Sequence, residues 1–241
     1  MTSLRRLDVI RFSSLTVLLI FTASSCSSKH SSVAEPIAKT YGLDSFGQID
    51  AVRYTFNIDI PVLKLARTWE WNPKTNTVTY QGKDKEGKSM KVNYQRSQLS
   101  SDAIKDVDAG FINDNYWFLL PFHVYWDSGA NVQDKGTQQL QLGNGSAELL
   151  SVKYPSDIGY TPGDTWDLYV GKDNRIEQMV YHRGGPKKPS LVIATWEGYK
   201  KAGPLLVSTE HHGTADGGPL HIFFSDVAVK LGGSDSWMNA Q

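Results

Sequence analysis

Residues 51–60 read Ala-Val-Arg-Tyr-Thr-Phe-Asn-Ile-Asp-Ile, so Val52, Tyr54, Phe56, Ile58 and Ile60 alternate with Ala51, Arg53, Thr55, Asn57 and Asp59. A sustained period of two belongs to an antiparallel strand with one face buried and the other in water. The pattern recurs in short runs at Leu65–Trp71, Thr77–Tyr80 and Met90-Val92-Tyr94. Further on come Gln138–Leu142, Ala147–Tyr154, Thr165–Val170, Arg175–His182, Leu191–Trp196, Leu205–Thr209 and Leu220–Val229. Between them stand Pro73–Asn76, Gly82–Gly87, Gly143-Asn-Gly145, Thr161–Asp164, Gly171–Asn174, Gly184–Pro186 and Gly203-Pro204. These residue types supply a positive φ or preset a turn. About 10–11 short strands at regular spacing predict a mainly β chain with a single large curved antiparallel sheet, an incomplete β-barrel.

One or two short helices complete the expectation. Val33–Tyr41 ends at Gly42, a helix stop, and Ser100–Phe111 opens on capping residues with Ile104, Val107 and Phe111 at helical spacing. No internal repeat or second linker is visible, so residues 35–241 read as one domain.

The chain has 241 residues, 25 basic and 25 acidic side chains, 11% aromatic residues and one cysteine. Aromatic content on that scale rules out a mainly disordered chain. A neutral, unpatterned charge balance argues against nucleic acid as a partner, because that affinity comes from Lys and Arg neutralising phosphates. A lone cysteine rules out a disulfide framework, a four-cysteine zinc site and a CxxC redox pair.

That cysteine has a telling position. Arg5, Arg6 and Arg11 precede the uncharged Phe12–Ala23, which is too short to cross a bilayer, and Ser24-Ser25-Cys26 follows. Residues 1–25 therefore read as a signal peptide. Ala23-Ser24-Ser25-Cys26 resembles a bacterial lipobox, with Ala23 where Leu is commoner. That resemblance implies acylation of Cys26, with residues 26–34 as lipidated N-terminus and tether. It also implies a lipid-bilayer partner, and Ser27 in place of Asp implies the outer membrane, facing the periplasm. Removing Arg5, Arg6, Arg11 and Asp8 from 25 of each sign leaves 22 basic and 24 acidic residues.

Candidate chemistry is sparse. The densest aromatic run is Asn115–Trp126, in which Pro121 disfavours an uninterrupted central strand and favours an edge or a bend. It reads either as core or as the lining of an apolar pocket. Trp69 and Trp71 share a strand face with Arg67 and Leu65, as a plain sheet face or a cation–π stack. Trp69, Trp71, Trp117, Phe118, Phe122 and Trp126 are thus the candidate ligand-binding residues. Pro162-Gly163 fits a type II turn, with Asp164 capping backbone N–H groups. His211, His212 and His221 form the imidazole cluster, but neighbours on a strand point to opposite faces, so they are expected as surface side chains rather than a metal site. Asp106 with Asp108, and Asp164 with Asp167, pair in sequence without a cleft to work in. HExxH, GxSxG, phosphate-loop and GxGxxG signatures are missing, so no enzyme activity and no cofactor is expected.

Taken together, the leader, the helix ending at Tyr41-Gly42, Val52–Phe56, Trp69-x-Trp71, Ile112–Phe122 and Gly159-x-Thr-Pro-Gly-Asp164 before Leu168-Tyr-Val170 resemble bacterial outer-membrane lipoprotein-sorting (Lol-type carrier) proteins, in an uncharacterised lipoprotein branch. The resemblance implies an incomplete barrel around helices with a cavity for acyl chains. The expected function is a membrane-anchored lipoprotein binding a lipid or other apolar ligand, in lipoprotein or lipid trafficking. An envelope metal-assisted hydrolase built on the histidines or Asp164, or a ligand-free scaffold, stands as the alternative.

Overall fold

The computed structural model describes residues 33–156 and 162–241; the leader, Cys26 and Gly159–Thr161 lie outside the described residues. In chain order the elements are α1 (Ala34–Thr40), α2 (Leu43–Phe46), β1 (Ile49–Ile60), β2 (Leu63–Asn72), β3 (Thr77–Lys83), β4 (Ser89–Gln95) and α3 (Asp102–Trp126). There follow β5 (Asn131–Gln139), β6 (Ser146–Lys153), β7 (Thr165–Val170), β8 (Ile176–His182), β9 (Leu191–Thr195), β10 (Lys200–Ala202), β11 (Leu205–Val207), β12 (Glu210–Ala215), β13 (Gly218–Leu231) and β14 (Trp237–Asn239).

Twelve strands make one antiparallel sheet in the order β4-β3-β2-β1-β13-β12-β9-β8-β7-β6-β5, with β14 on β13, while β10 and β11 pair separately. The two ends of this order, β4 and β5, do not join, so the sheet curls into the incomplete barrel that the alternation predicted. Strand β1 sits near its middle, pairing Val52 with Trp71 on one side and with Val229 on the other. Its alternate side chains Val52, Tyr54 and Phe56 are buried. The β1–β13 register slips between Arg53 and Thr55, opposite Asp226 at φ 53°. An extra residue of that kind bends a strand and sharpens its twist. Here Thr55 Oγ1 donates to Asp226 Oδ2 at 3.1 Å, which fixes the bulge.

The main difference from the sequence expectation is α3. Among the described residues there are three helices rather than one or two, and α3 runs 25 residues, through the whole aromatic stretch predicted as an edge or bend. Ser101 caps it as expected, its hydroxyl accepting from Ile104 N at 3.3 Å. Pro121 is accommodated by a kink, with Leu119 at φ −117°, ψ 22°. Residues 117–122 are all buried, because the curled sheet and α1 together cover this half of the helix. Phe118 stacks on Tyr54 at 4.3 Å and tilts against Phe224 at 5.0 Å, while Trp117 stacks on Trp196 at 6.0 Å. No helix among the described residues is long and apolar enough to cross a membrane.

Smaller corrections follow from turn chemistry. The fifth strand is Asn131–Gln139 rather than Gln138–Leu142. Glu210–Ala215, part of which was expected as loop because of its Gly and Thr, pairs with both β13 and β9.

Candidate functional site

Two buried carboxylates on α3 tie it to the sheet. Asp114 accepts from Arg67 Nε at 2.7 Å, from Arg67 Nη2, from Trp69 Nε1 at 2.8 Å and from Asn113 Nδ2 at 3.1 Å. Asp108 accepts from Tyr94 Oη at 3.0 Å and Arg96 Nε at 2.8 Å. Burial pushes the Asp114 carboxyl above its ordinary range, and the Arg67 guanidinium pulls the other way. Arg67 does not stack on Trp69 or Trp71; it lies over Phe56 at 5.2 Å, so the tryptophans belong to a packed sheet face.

Between the first half of α3 and strands β2–β4 lies a cleft of about 510 Å³. Its floor is apolar, made by Leu65, Trp69, Met90, Val107 and Gly110, and its rim carries Lys83, Lys85 and Asp106 among other charges. Lys85 Nζ reaches Asp106 Oδ2 across the mouth at 2.6 Å, both side chains being largely in water. Ion pairs so exposed hold little. Tyr80 folds back along its own strand, packs tilted against Trp69 at 4.6 Å and donates to the Lys83 carbonyl at 2.8 Å. Gly82 permits this, since a Cβ there would stand 2.3 Å from the Tyr80 hydroxyl.

Gly110 faces the floor from mid-helix. A Cβ there would meet Arg67 Nη1 and Trp69 Cζ2 at 3.8 Å and Trp69 Cη2 at 3.9 Å, all ordinary contacts. Glycine costs a helix interior roughly 1 kcal/mol against alanine, so packing does not require it; its effect is to leave the cleft open.

Of the residues singled out from sequence, Trp69 lines this cleft. Trp71 and Trp126 line a smaller cleft of about 360 Å³ at the other end of α3, with Phe46 and Ile49. Trp117, Phe118 and Phe122 lie in the main core. Asp164 accepts from Tyr181 Oη at 2.5 Å and Gly184 N at 2.6 Å, stitching the turn to β8.

The three histidines part company. His211 points inward, against Trp196 at 4.2 Å and Trp117 at 5.5 Å, so the expectation of a surface side chain is corrected. Its Nδ1 meets the Thr195 carbonyl at 3.1 Å, and burial pushes its pKa down to about 3. The folded chain therefore keeps this imidazole neutral while the unfolded chain protonates it below 6.5. Stability from this group is lost as pH falls through the window from 6.5 towards 3. Between pH 7.5 and 5.5 the loss is expected at about 1.4 kcal/mol. Urea unfolding at the two pH values, in chelator, should show this loss for the native chain and a flatter response for His211→Gln. Equal slopes in both would place the acid sensitivity elsewhere.

On the opposite face of the sheet, His212 and His221 stack at 4.3 Å beside Glu210, a residue that sequence reasoning missed. Its signal was the two-residue spacing to His212, which on a strand sets both on one face.

No family model and no curated protein matches the chain. Several solved structures do. A LolA superfamily protein from Nitrosomonas europaea is 12% identical, with 80% of this chain and 92% of that one covered at a TM-score of 0.46. A DUF1329 family protein from Desulfovibrio piger is 11% identical, covering 84% and 93% at 0.45. A structure described as an outer membrane lipoprotein-sorting domain, from Vibrio parahaemolyticus, is 9% identical, covering 84% and 95% at 0.42. At these identities the likeness is one of fold.

Proposed function

We propose that this chain is an acyl-anchored lipoprotein of the bacterial envelope, held at the outer membrane through Cys26, whose barrel binds the apolar part of a lipid. The observation that carries this reading is the cleft beneath α3: an apolar floor, a charged rim and a mid-helix glycine that keeps it open. Its volume falls within the range of about 300–1,000 Å³ common for small-molecule sites. Burying a chain against Trp69, Leu65 and Met90 removes each methylene from water, at about 0.8 kcal/mol apiece, while the rim offers charges of both signs, Lys83 and Lys85 beside Asp84, Glu86 and Asp106, to a polar head group. Trp117, Phe118 and Phe122 hold α3 in place as one wall, and Trp71 and Trp126 extend the apolar surface at its far end.

The β1–β2 hairpin adds to this. Val62 is 89% exposed and Leu63 45%, at a tip two residues from the cleft residue Leu65. An apolar tip beside an apolar cleft suits a protein that takes its ligand from a lipid surface.

The test uses the full chain carrying Cys26→Ser, which cannot be acylated. It is expected to leave the membrane fraction, and native mass spectrometry of the detergent-free protein is expected to show an adduct that extracts into organic solvent. Adding Gly110→Phe should remove the adduct with unfolding stability within about 1 kcal/mol, the scale of glycine effects in helices. A Cys26→Ser chain that stays with the membrane overturns the anchor. An apo mass throughout, or an adduct that survives Gly110→Phe, overturns the cleft as binding site.

A further inference from the structure

The outward face of β12 and β13 holds a three-donor cluster that the lipid cleft does not use. Strand register explains it: His212 pairs directly with His221 across the ladder, and Glu210 lies two residues before His212 on the same face, opposite Phe223. The two imidazoles stack at 4.3 Å with an interplanar angle of 13°. Their Nε2 atoms converge on one carboxylate oxygen, Glu210 Oε2 lying 3.0 Å from His221 and 3.6 Å from His212. All three donor atoms fall within 4.8 Å of one another.

We propose that Glu210, His212 and His221 form a binding site for a borderline divalent transition metal such as Zn²⁺ or Cu²⁺. Ions of that kind take imidazole nitrogen at 2.0–2.1 Å and carboxylate oxygen at 2.0–2.2 Å, so two tetrahedral ligand atoms lie roughly 3.3 Å apart. The observed separations of 3.0 and 3.6 Å bracket that value, and a metal needs only small side-chain rotations to sit between the donors. Two imidazoles and one carboxylate favour zinc, copper or nickel over magnesium or calcium, which take oxygen ligands. Ligation through Nε2 requires each imidazole to be neutral with its ring proton on Nδ1. Two features steady the site. Phe223 stacks on His221 at 5.0 Å, and the His212 backbone N donates to Thr195 Oγ1 at 3.0 Å. With three protein ligands, coordination is completed from solvent. His211, one residue away, takes no part because it points to the other face.

The experiment is calorimetric titration of the chelator-treated full chain with ZnCl₂, beside thermal unfolding with and without the metal. One ion per chain is expected, with a rise in midpoint temperature that grows with free zinc, since binding to the folded state alone stabilises it. His221→Ala and His212→Ala are expected to weaken binding about 100-fold, and Glu210→Gln about 10-fold, on the scale of lost metal-site interactions. His182→Ala, whose imidazole meets Asp167 Oδ2 at 3.1 Å on β7, is the control and should bind as the native chain does. Copper titrated into the native chain should give an electron paramagnetic resonance spectrum with two equatorial nitrogens. Zinc affinity unchanged in both His212→Ala and His221→Ala overturns the site, as does a native chain that takes up no zinc at millimolar concentration. The cluster residues are half-exposed, so loss of folding does not confound the comparison.

Discussion

Asp114→Ala is expected to destabilise the chain by about 3–5 kcal/mol, the usual effect of removing one partner from a buried ion pair. The carboxylate is fully buried and receives four donors from three side chains. Its loss leaves the Arg67 cation, itself only 22% exposed, and the Trp69 indole N–H without an acceptor inside the barrel. An unmet buried donor alone costs about 1–3 kcal/mol. In a chain of this size the midpoint temperature should drop by roughly 10 °C. The double variant Arg67→Met, Asp114→Leu should recover a large part of the loss, because a buried pair replaced by apolar groups leaves no uncompensated charge. Urea unfolding of the native chain and the two variants reads this directly. An Asp114→Ala chain within 1 kcal/mol of the native one would show that α3 does not depend on this link.

Trp117→Ala is the second large effect, expected at about 3–5 kcal/mol, the range for emptying an aromatic site in a core. The indole packs against Trp196, Trp166 and His211 at centroid distances of 6.0, 6.1 and 5.5 Å. None of these neighbours can close the gap without moving another ring. The same variant separates core from ligand wall: a stability loss of that size marks Trp117 as packing. A loss under 1 kcal/mol with the lipid adduct gone would make it a ligand contact instead.

Much of this architecture was legible in the sequence. Alternation along Val52–Ile60, Leu65–Trp71 and Ala147–Tyr154 gave the strands, because one face of each meets water and the period shows. The second half of α3 was not legible for the opposite reason. Tyr116–Phe122 is apolar at every position, so neither a period of two nor of 3.6 is visible, and Pro121 argues against a helix whose kink only the enclosing sheet makes tolerable. Asp114 went unnoticed for want of its partner. A clue was Arg67, an isolated cation on an apolar strand face, which demands a counter-charge from elsewhere in the chain. Glu210 is hidden because Gly213 and Gly217-Gly218 make its surroundings read as loop rather than strand.

The unjoined ends β4 and β5 have a consequence for capacity. In a closed barrel, strand number and stagger fix the girth, and a larger guest can enter only if ladder bonds break. A sheet with two free margins is a cuff rather than a ring. An extra residue such as the one at Asp226 lets such a sheet change its bend along the strands with each hydrogen-bonded ladder intact. On the lipid-binding reading proposed above, that freedom would let one chain take guests of different thickness without a different number of strands for each.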